Sequence, residues 1–230
     1  MQFLALFWIA WLGAVPAQEP PPAQTPVIVT AGEAVVRRAP DRAFVTVSVE
    51  ARAKNPRDAQ RLNAEAMTAV QQRLSQARIP KESIRTTGYD LQQEFDFVQG
   101  RRVPREFVAR NGVEVRVDDV ARTGEVADAV VQSGATSVSG IRFDLQDRET
   151  VEREALRLAV ADARARADAA AAGAGRTVDR VLRIEDSRDV GLSPPRPMLN
   201  YARAAEAPQT PIEPGLIEVR ARVTLTSSMK

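Results

Sequence analysis

The stretch from Arg153 to Gly175, REALRLAVADARARADAAAAGAG, constrains the fold more than any other part of the chain. Its periodicity is helical, yet the side chains available to its inward face are nearly all alanines. On a helical wheel Leu156, Ala159, Val160, Ala163, Ala167, Ala170 and Ala174 fall in one narrow stripe. Arg157, Arg164 and Asp168 flank one side of it and Asp162 and Arg166 the other, with Asp162–Arg166 and Arg164–Asp168 at i,i+4 spacing. Asp147 or Thr150 caps the start, and Gly173 and Gly175 stop the end. Side-chain size sets how near a helix can approach its neighbour. A helix this thin must therefore lie close against a surface, because each buried alanine contributes little at ~25 cal/mol per Å². High helix propensity offsets part of that deficit. Two surfaces fit: the protein's own sheet, or in part a neighbouring subunit, which makes Ala163, Ala167 and Ala170 candidate interface residues.

The rest of the chain supplies the sheet. In PDRAFVTVSVEARA, Ala43, Val45, Val47, Val49 and Ala51 alternate with Thr46, Ser48, Glu50 and Arg52, the pattern of a half-buried strand. VIVTAGEAVVRRA before it is expected to be its antiparallel partner, with Pro40-Asp41 as the turn. Asn55-Pro56-Arg57-Asp58 starts a helix: an Asx cap, a proline in the first turn and an acid at the positive end of the dipole. Leu62, Ala66, Val70 and Leu74 then recur at helical spacing as far as Arg78 to Pro80. A strand pair follows, IRTTGYDLQQEFDF and EFVARNGVEVRV, joined by a turn over Val98 to Pro104. A second helix spans about Val120 to Ser133 and stops at Gly134. SVSGIRFDLQD is the next strand, with Ile141, Phe143 and Leu145 on one face. The alanine helix comes next, then the strand RTVDRVLRIEDS and a Pro/Ala-rich loop over 188–214. The final strand, LIEVRARVTLTSS, sets Ile217, Val219, Ala221, Val223 and Leu225 on one face.

The order is ββαββαβαββ, and its middle has the split-βαβ arrangement. The expected class is α+β, a mostly antiparallel sheet with helices packed on one face.

The first residues, MQFLALFWIAWLGAVPAQ, hold an apolar run from Phe3 to Val15. That run is short for a bilayer span and fits the hydrophobic core of a signal peptide. Small residues at Val15-Pro16-Ala17 place cleavage after Ala17, so residues 1–17 are expected to be removed; retention as an anchor is the alternative. A proline-rich spacer over 18–26 leads to a folded domain over 27–228, with no transmembrane segment after cleavage. Both tryptophans, Trp8 and Trp11, fall in the leader. With 32 basic and 30 acidic residues interspersed, no basic stripe suggests nucleic acid as a partner.

The chain has no histidine and no cysteine. Ser-His-Asp and Cys-His catalysis are therefore impossible, and zinc, haem and iron–sulfur sites lose their usual ligands. No cofactor and no catalytic residue is expected. The chemistry still open is carboxylate-based, at Asp118-Asp119 or at Asp144, Asp147 and Glu149, or a dyad of Lys81 with Ser83 beside Glu82. Helix capping explains the acids more simply. A hydrolase or lyase acting through those acids, with raised pKa values, is one alternative; a small-molecule or glycan module beside Pro194 to Pro211 is another.

Beyond Ala17 seven aromatics remain, and Tyr89, Phe95, Phe97 and Phe107 all lie on one hairpin. They either fill the core or, for Phe95, Phe97 and Phe107 near the hairpin end, project into a contact with another subunit.

Five segments in order, VIVTAGEAVV, PDRAFVTVSVEARA, ARNGVEVRVDDVARTGEVADAVVQSGA, REALRLAVADARARADAAAAGAG and PIEPGLIEVRARVTL, resemble the SIMPL-domain family over about Val27 to Ser227. Where that family often has paired G-x-G at the start, this chain has Ala31-Gly32 followed by Glu33-Ala34. The resemblance implies an exported protein of the bacterial periplasm or outer membrane, with no established reaction. It also implies assembly into homo-oligomers, contact with cell-envelope components and a link to envelope or oxidative stress tolerance. The expectation is a non-enzymatic envelope protein that acts by assembly or binding.

Overall fold

A computed structural model describes residues 25–187 and 211–230. The expected leader, most of the spacer and most of the Pro/Ala-rich loop lie outside the described residues.

The elements are β1 (Val27–Arg38), β2 (Arg42–Ala53), α1 (Pro56–Gln76), β3 (Ile84–Val98), β4 (Arg101–Val117), α2 (Thr123–Gln132), β5 (Ser137–Asp144), α3 (Arg148–Gly173), β6 (Val178–Asp186) and β7 (Ile217–Met229). The class and the element order agree with the sequence reading. The strands divide into two antiparallel sheets, β3-β4-β2-β5 and β1-β7-β6. In the first, β4 lies between β2 and β3, so the two strands joined through α1 are split by a third, as the order of elements implied.

The pairing of β1 with β2 is overturned. β1 pairs along its whole length with β7, Val27 opposite Ser228 and Arg38 opposite Ile217, while β2 is flanked by β4 and β5. Pro40 fixes its own φ near −65° and holds Ala39 extended. A tight hairpin turn needs positive φ at its centre, so the chain crosses from one sheet to the other here instead of reversing. Asp41 anchors the crossing: its backbone N–H donates to Asp144 O at 3.3 Å and its carboxylate accepts from Gln146 N at 2.7 Å.

The larger core lies between the four-stranded sheet and α1 and α2, and contains Ala43, Val45, Val47 and Val49 of β2 with Met67, Val70, Leu74, Val126 and Val130 of the helices. In α1 the expected stripe holds at Val70 and Leu74, which are buried, and shifts by one residue in the first half of the helix, where Asn63 and Met67 are buried and Ala66 is only partly covered. Leu62 is exposed, and Asn63 takes the buried position. The Asn63 amide nitrogen donates to Val49 O and Ala109 O, both at 2.9 Å, so a polar side chain ties the helix to two strands. Asn55 caps α1 by accepting from Asp58 N at 2.9 Å. The second helix opens with a 3-10 turn over Val120–Arg122, so its α-helical part begins three residues later than the spacing suggested.

The alanine helix α3 docks on β1 and β7. Its buried residues are Val151, Ala155, Ala159, Ala163, Ala167 and Ala171, a strict four-residue spacing, with Asp147 as the N-cap. Ala170 and Ala174 of the expected stripe are exposed. The contact is backbone to backbone: a Cβ placed on Gly32 would stand 2.2 Å from Ala159 O and 2.3 Å from Ala163 N. Thr30 Oγ1 donates to Ala163 O at 2.8 Å, and Glu33 N donates to Asp162 Oδ2 at 3.0 Å. Of the two expected i,i+4 pairs, Asp162–Arg166 closes at 3.0 Å. Leu145, just past β5, packs with Val36, Val151, Ala155, Ile217 and Val219 in the cluster under the start of α3.

Candidate docking arm

β2 ends at Ala53, opposite Phe107, whereas the β3–β4 ribbon continues to a two-residue turn at Gln99-Gly100. The ribbon thus extends roughly 17 Å past the last strand that supports it, at about 3.3 Å per residue pair. Its turn is tighter than the expected Val98 to Pro104 loop. Gln99 and Gly100 have φ of +50° and +77°, the twist a two-residue hairpin requires. Pro104 lies within β4, opposite Phe95, where its missing N–H removes a ladder bond at an unsupported part of the ribbon. An irregularity between Gln93 and Phe95 marks where the arm leaves the sheet.

Opposed residues share a face. Phe95 and Phe97 stand with Pro104 and Arg102 on one side; Asp96 and Val98 stand with Val103 and Arg101 on the other. Phe97 is 77% exposed, Val98 54% and Val103 42%. The Arg102 guanidinium lies 3.5 Å from the Phe95 ring centre, and Arg105 approaches Asp96 at 3.5 Å. Phe107, nearer the body, is half-buried. Of the hairpin aromatics, then, Phe97 and Tyr89 face solvent and Phe95 and Phe107 are partly covered. Ala163 and Ala167 are consumed by the protein's own sheet, and Ala170 faces out on α3.

Four side chains close a ring at the root of the arm. Arg110 Nε meets Glu50 at 2.8 Å and Arg110 Nη2 meets Glu94 at 3.0 Å. Arg52 completes it, with Nη1 to Glu94 at 2.6 Å and Nη2 to Glu50 at 2.7 Å. The ring joins β2, β3 and β4, and Val108, opposite Arg52 on the same face, is fully buried. Hydrogen bonds from Arg110 and then Arg52 hold the Glu50 carboxyl below the usual range; Glu94 is lowered chiefly by Arg52. The sequence reading missed this ring, because Glu94 and Arg110 belong to strands whose register no local pattern reveals.

The acids considered for catalysis have structural partners. Asp118 accepts from Arg42 at 2.9 Å and Asp119 caps Ala121 N at 3.2 Å. Asp144 pairs with Arg142 at 2.8 Å and Glu149 with Arg153. Asp147 is held below its usual range by Thr150, whose side chain and backbone N–H both bond to it, the opposite of the raised pKa a catalytic acid needs. Ser83 Oγ accepts from Arg116 Nη2 at 3.1 Å, and no bond to Lys81 forms. An open cleft of about 310 Å³ between α1 and α2 is lined by Arg73, Gln76, Glu125, Asp128 and Gln132 among others, away from these acids. The cleft expected beside Pro194 to Pro211 falls almost wholly outside the described residues. Among the described residues, no group of acids is placed to hold a metal ion, and no helix is long and apolar enough to cross a membrane.

A family model, SIMPL, described as "Protein of unknown function (DUF541)", matches residues 28–227. The chain is 31% identical over 177 residues to the 26 kDa periplasmic immunogenic protein of Brucella abortus (strain S19), covering 74% of this chain and 69% of that protein. The protein of the same name in Brucella melitensis biotype 1 is 30% identical over the same shares. The uncharacterized protein YggE of Escherichia coli (strain K12) is 23% identical over 183 residues, 80% of this chain and 74% of that one.

Proposed function

This chain belongs to the SIMPL family, and from that membership we propose a non-catalytic docking protein of the periplasm whose β3–β4 arm engages other envelope components, further copies of itself included. The periplasmic part is supported by the names of the Brucella relatives and by the apolar leader over residues 1–17. The arm carries the docking part. A two-stranded ribbon is marginal in water by itself, and this one leaves Phe97 exposed far from any core. Large aromatics in such positions supply most of the energy of protein contacts. The non-catalytic part is supported by the acids, which spend their lone pairs on arginines and helix caps. A role in envelope or oxidative stress tolerance, and association with the outer membrane, belong to the same reading: docking at the envelope is how a protein without cysteine or histidine would act there.

Static light scattering on the purified protein, paired with capture of envelope components, tests the reading. The arm should account for whatever is bound or assembled, so Phe95→Ser with Phe97→Ser abolishes it while circular dichroism stays unchanged. A monomer that captures nothing, or binding indifferent to the double substitution, removes the arm from the explanation.

A further inference from the structure

We propose that the tip of the arm inserts into an anionic lipid surface; this rests on the reading of the arm as the docking element and names its partner. A ribbon built to lie on another protein presents one apolar face and keeps the other polar, because strand residues alternate. This tip does not. Phe97 is exposed on one face, and Val98 and Val103 on the other, so each of the last three residue pairs before the turn, Val98–Arg101, Phe97–Arg102 and Asp96–Val103, carries one exposed apolar side chain, and these fall on both faces. A tip with exposed apolar side chains on both faces suits a medium that surrounds it, and the boundary between lipid headgroups and acyl chains is such a medium.

The charges agree. Over residues 95–105 the arm has Arg101, Arg102 and Arg105 against Asp96, three positive less one negative, a net +2. Arg101 pairs across from Val98 and Arg102 from Phe97, so both basic residues stand beside the apolar ones, the Arg102 guanidinium lying over the Phe95 ring. Long arginine stems lie along apolar surface while their heads reach phosphate, and basic residues beside an anionic leaflet are drawn to it. The turn suits the role too. Gln99-Gly100 is the shortest closure a hairpin allows, and it adds no charged side chain at the leading end.

The test uses vesicles of phosphatidylcholine with and without phosphatidylglycerol. The protein should co-sediment with the anionic vesicles, less so as salt rises, and weakly or not at all with the neutral ones. Arg101→Gln and Arg105→Gln each lower the partition coefficient about fivefold, and Phe97→Ser with Val98→Ser abolishes binding. Phe97→Trp in a Trp8→Phe, Trp11→Phe background reports depth, with a blue-shifted emission quenched by brominated acyl chains. Co-sedimentation that survives the tip substitutions, or an emission that stays unshifted and unquenched, overturns the proposal. If anionic vesicles bind nothing while light scattering shows assembly lost in Phe95→Ser with Phe97→Ser, the lipid partner is wrong and the docking arm stands. If neither occurs, both fall.

Discussion

Gly32 of β1 and Ala163 of α3 meet with no space for one more carbon: a Cβ on Gly32 would lie 2.7 Å from the Ala163 Cβ and 2.3 Å from its backbone nitrogen. Both neighbours at shortest range are main-chain atoms of a helix, and neither can rotate aside. Gly32→Ala therefore has to lift α3 off its sheet, breaking the Thr30–Ala163 and Glu33–Asp162 bonds as it does. The expected cost is about 3 kcal/mol, read from the urea midpoint at unchanged m-value. Ala163→Leu should cost at least as much, while Ala170→Leu, on the exposed side of the same helix, should stay within about 0.5 kcal/mol. Equal effects at 163 and 170 would contradict the observed phase of the stripe.

Asn63 gives a second test. Its amide nitrogen is the donor for two strand carbonyls, Val49 O and Ala109 O, in a site that is 1% exposed. Asn63→Ala leaves both acceptors without it and is expected to cost about 2 kcal/mol. Asn63→Asp replaces the donor with a second acceptor aimed at the same two oxygens, so it should destabilise more than alanine does near neutral pH. Its stability should then improve on acidification, as the introduced carboxyl gains a proton it can donate. A stability profile for this variant that ignores pH would refute the bridging role.

The ring at the root of the arm makes a pH prediction. Arg110 and Arg52 lower the folded-state pKa of Glu50 and Glu94 below the unfolded value. The stability they add is therefore complete above the unfolded glutamate value of about 4.3 and is lost as pH falls through their lowered values. Amide exchange in residues 93–107 should accelerate below that point sooner than exchange in β2. Glu94→Gln should raise arm exchange at neutral pH and flatten its acid dependence.

The hairpin turn offers a change that tightens the arm without touching its surface chemistry. Gln99 has φ of +50°, a conformation that costs most side chains about 1 kcal/mol. Gln99→Asn creates the Asn-Gly pair that such turns favour and should slow amide exchange at the tip. Gly100→Val forces a β-branched residue to φ near +77° and should speed it. Identical exchange in both variants would mean that the turn does not control the arm.

The chain reveals much of this by itself, because periodicity depends only on local geometry. The alternation of Ala43, Val45, Val47 and Val49, the Asn55 cap and the order of the elements follow from local geometry and appear in the structure as read, while of the two caps open for α3, Asp147 and Thr150, the structure takes Asp147. The alanine stripe likewise announced a close approach, and Ala159, Ala163 and Ala167 make one. Three-dimensional context decided what those periods leave open. Leu62 and Asn63 are adjacent in the chain but stand about 100° apart on the helix, and only two carbonyls on the facing strands make the buried place suit an amide. β1 and β2 are adjacent in the chain with matching alternation, yet Pro40 keeps the connection extended, and β1 takes a partner nearly two hundred residues away. The arm was visible as a hairpin rich in aromatics, but its protrusion follows from β2 stopping opposite Phe107 while β3 and β4 continue. Strand register is a long-range property: hydrogen bonds to a backbone are nearly blind to sequence, so which strand lies beside which, and where support ends, is settled by the packing of the whole.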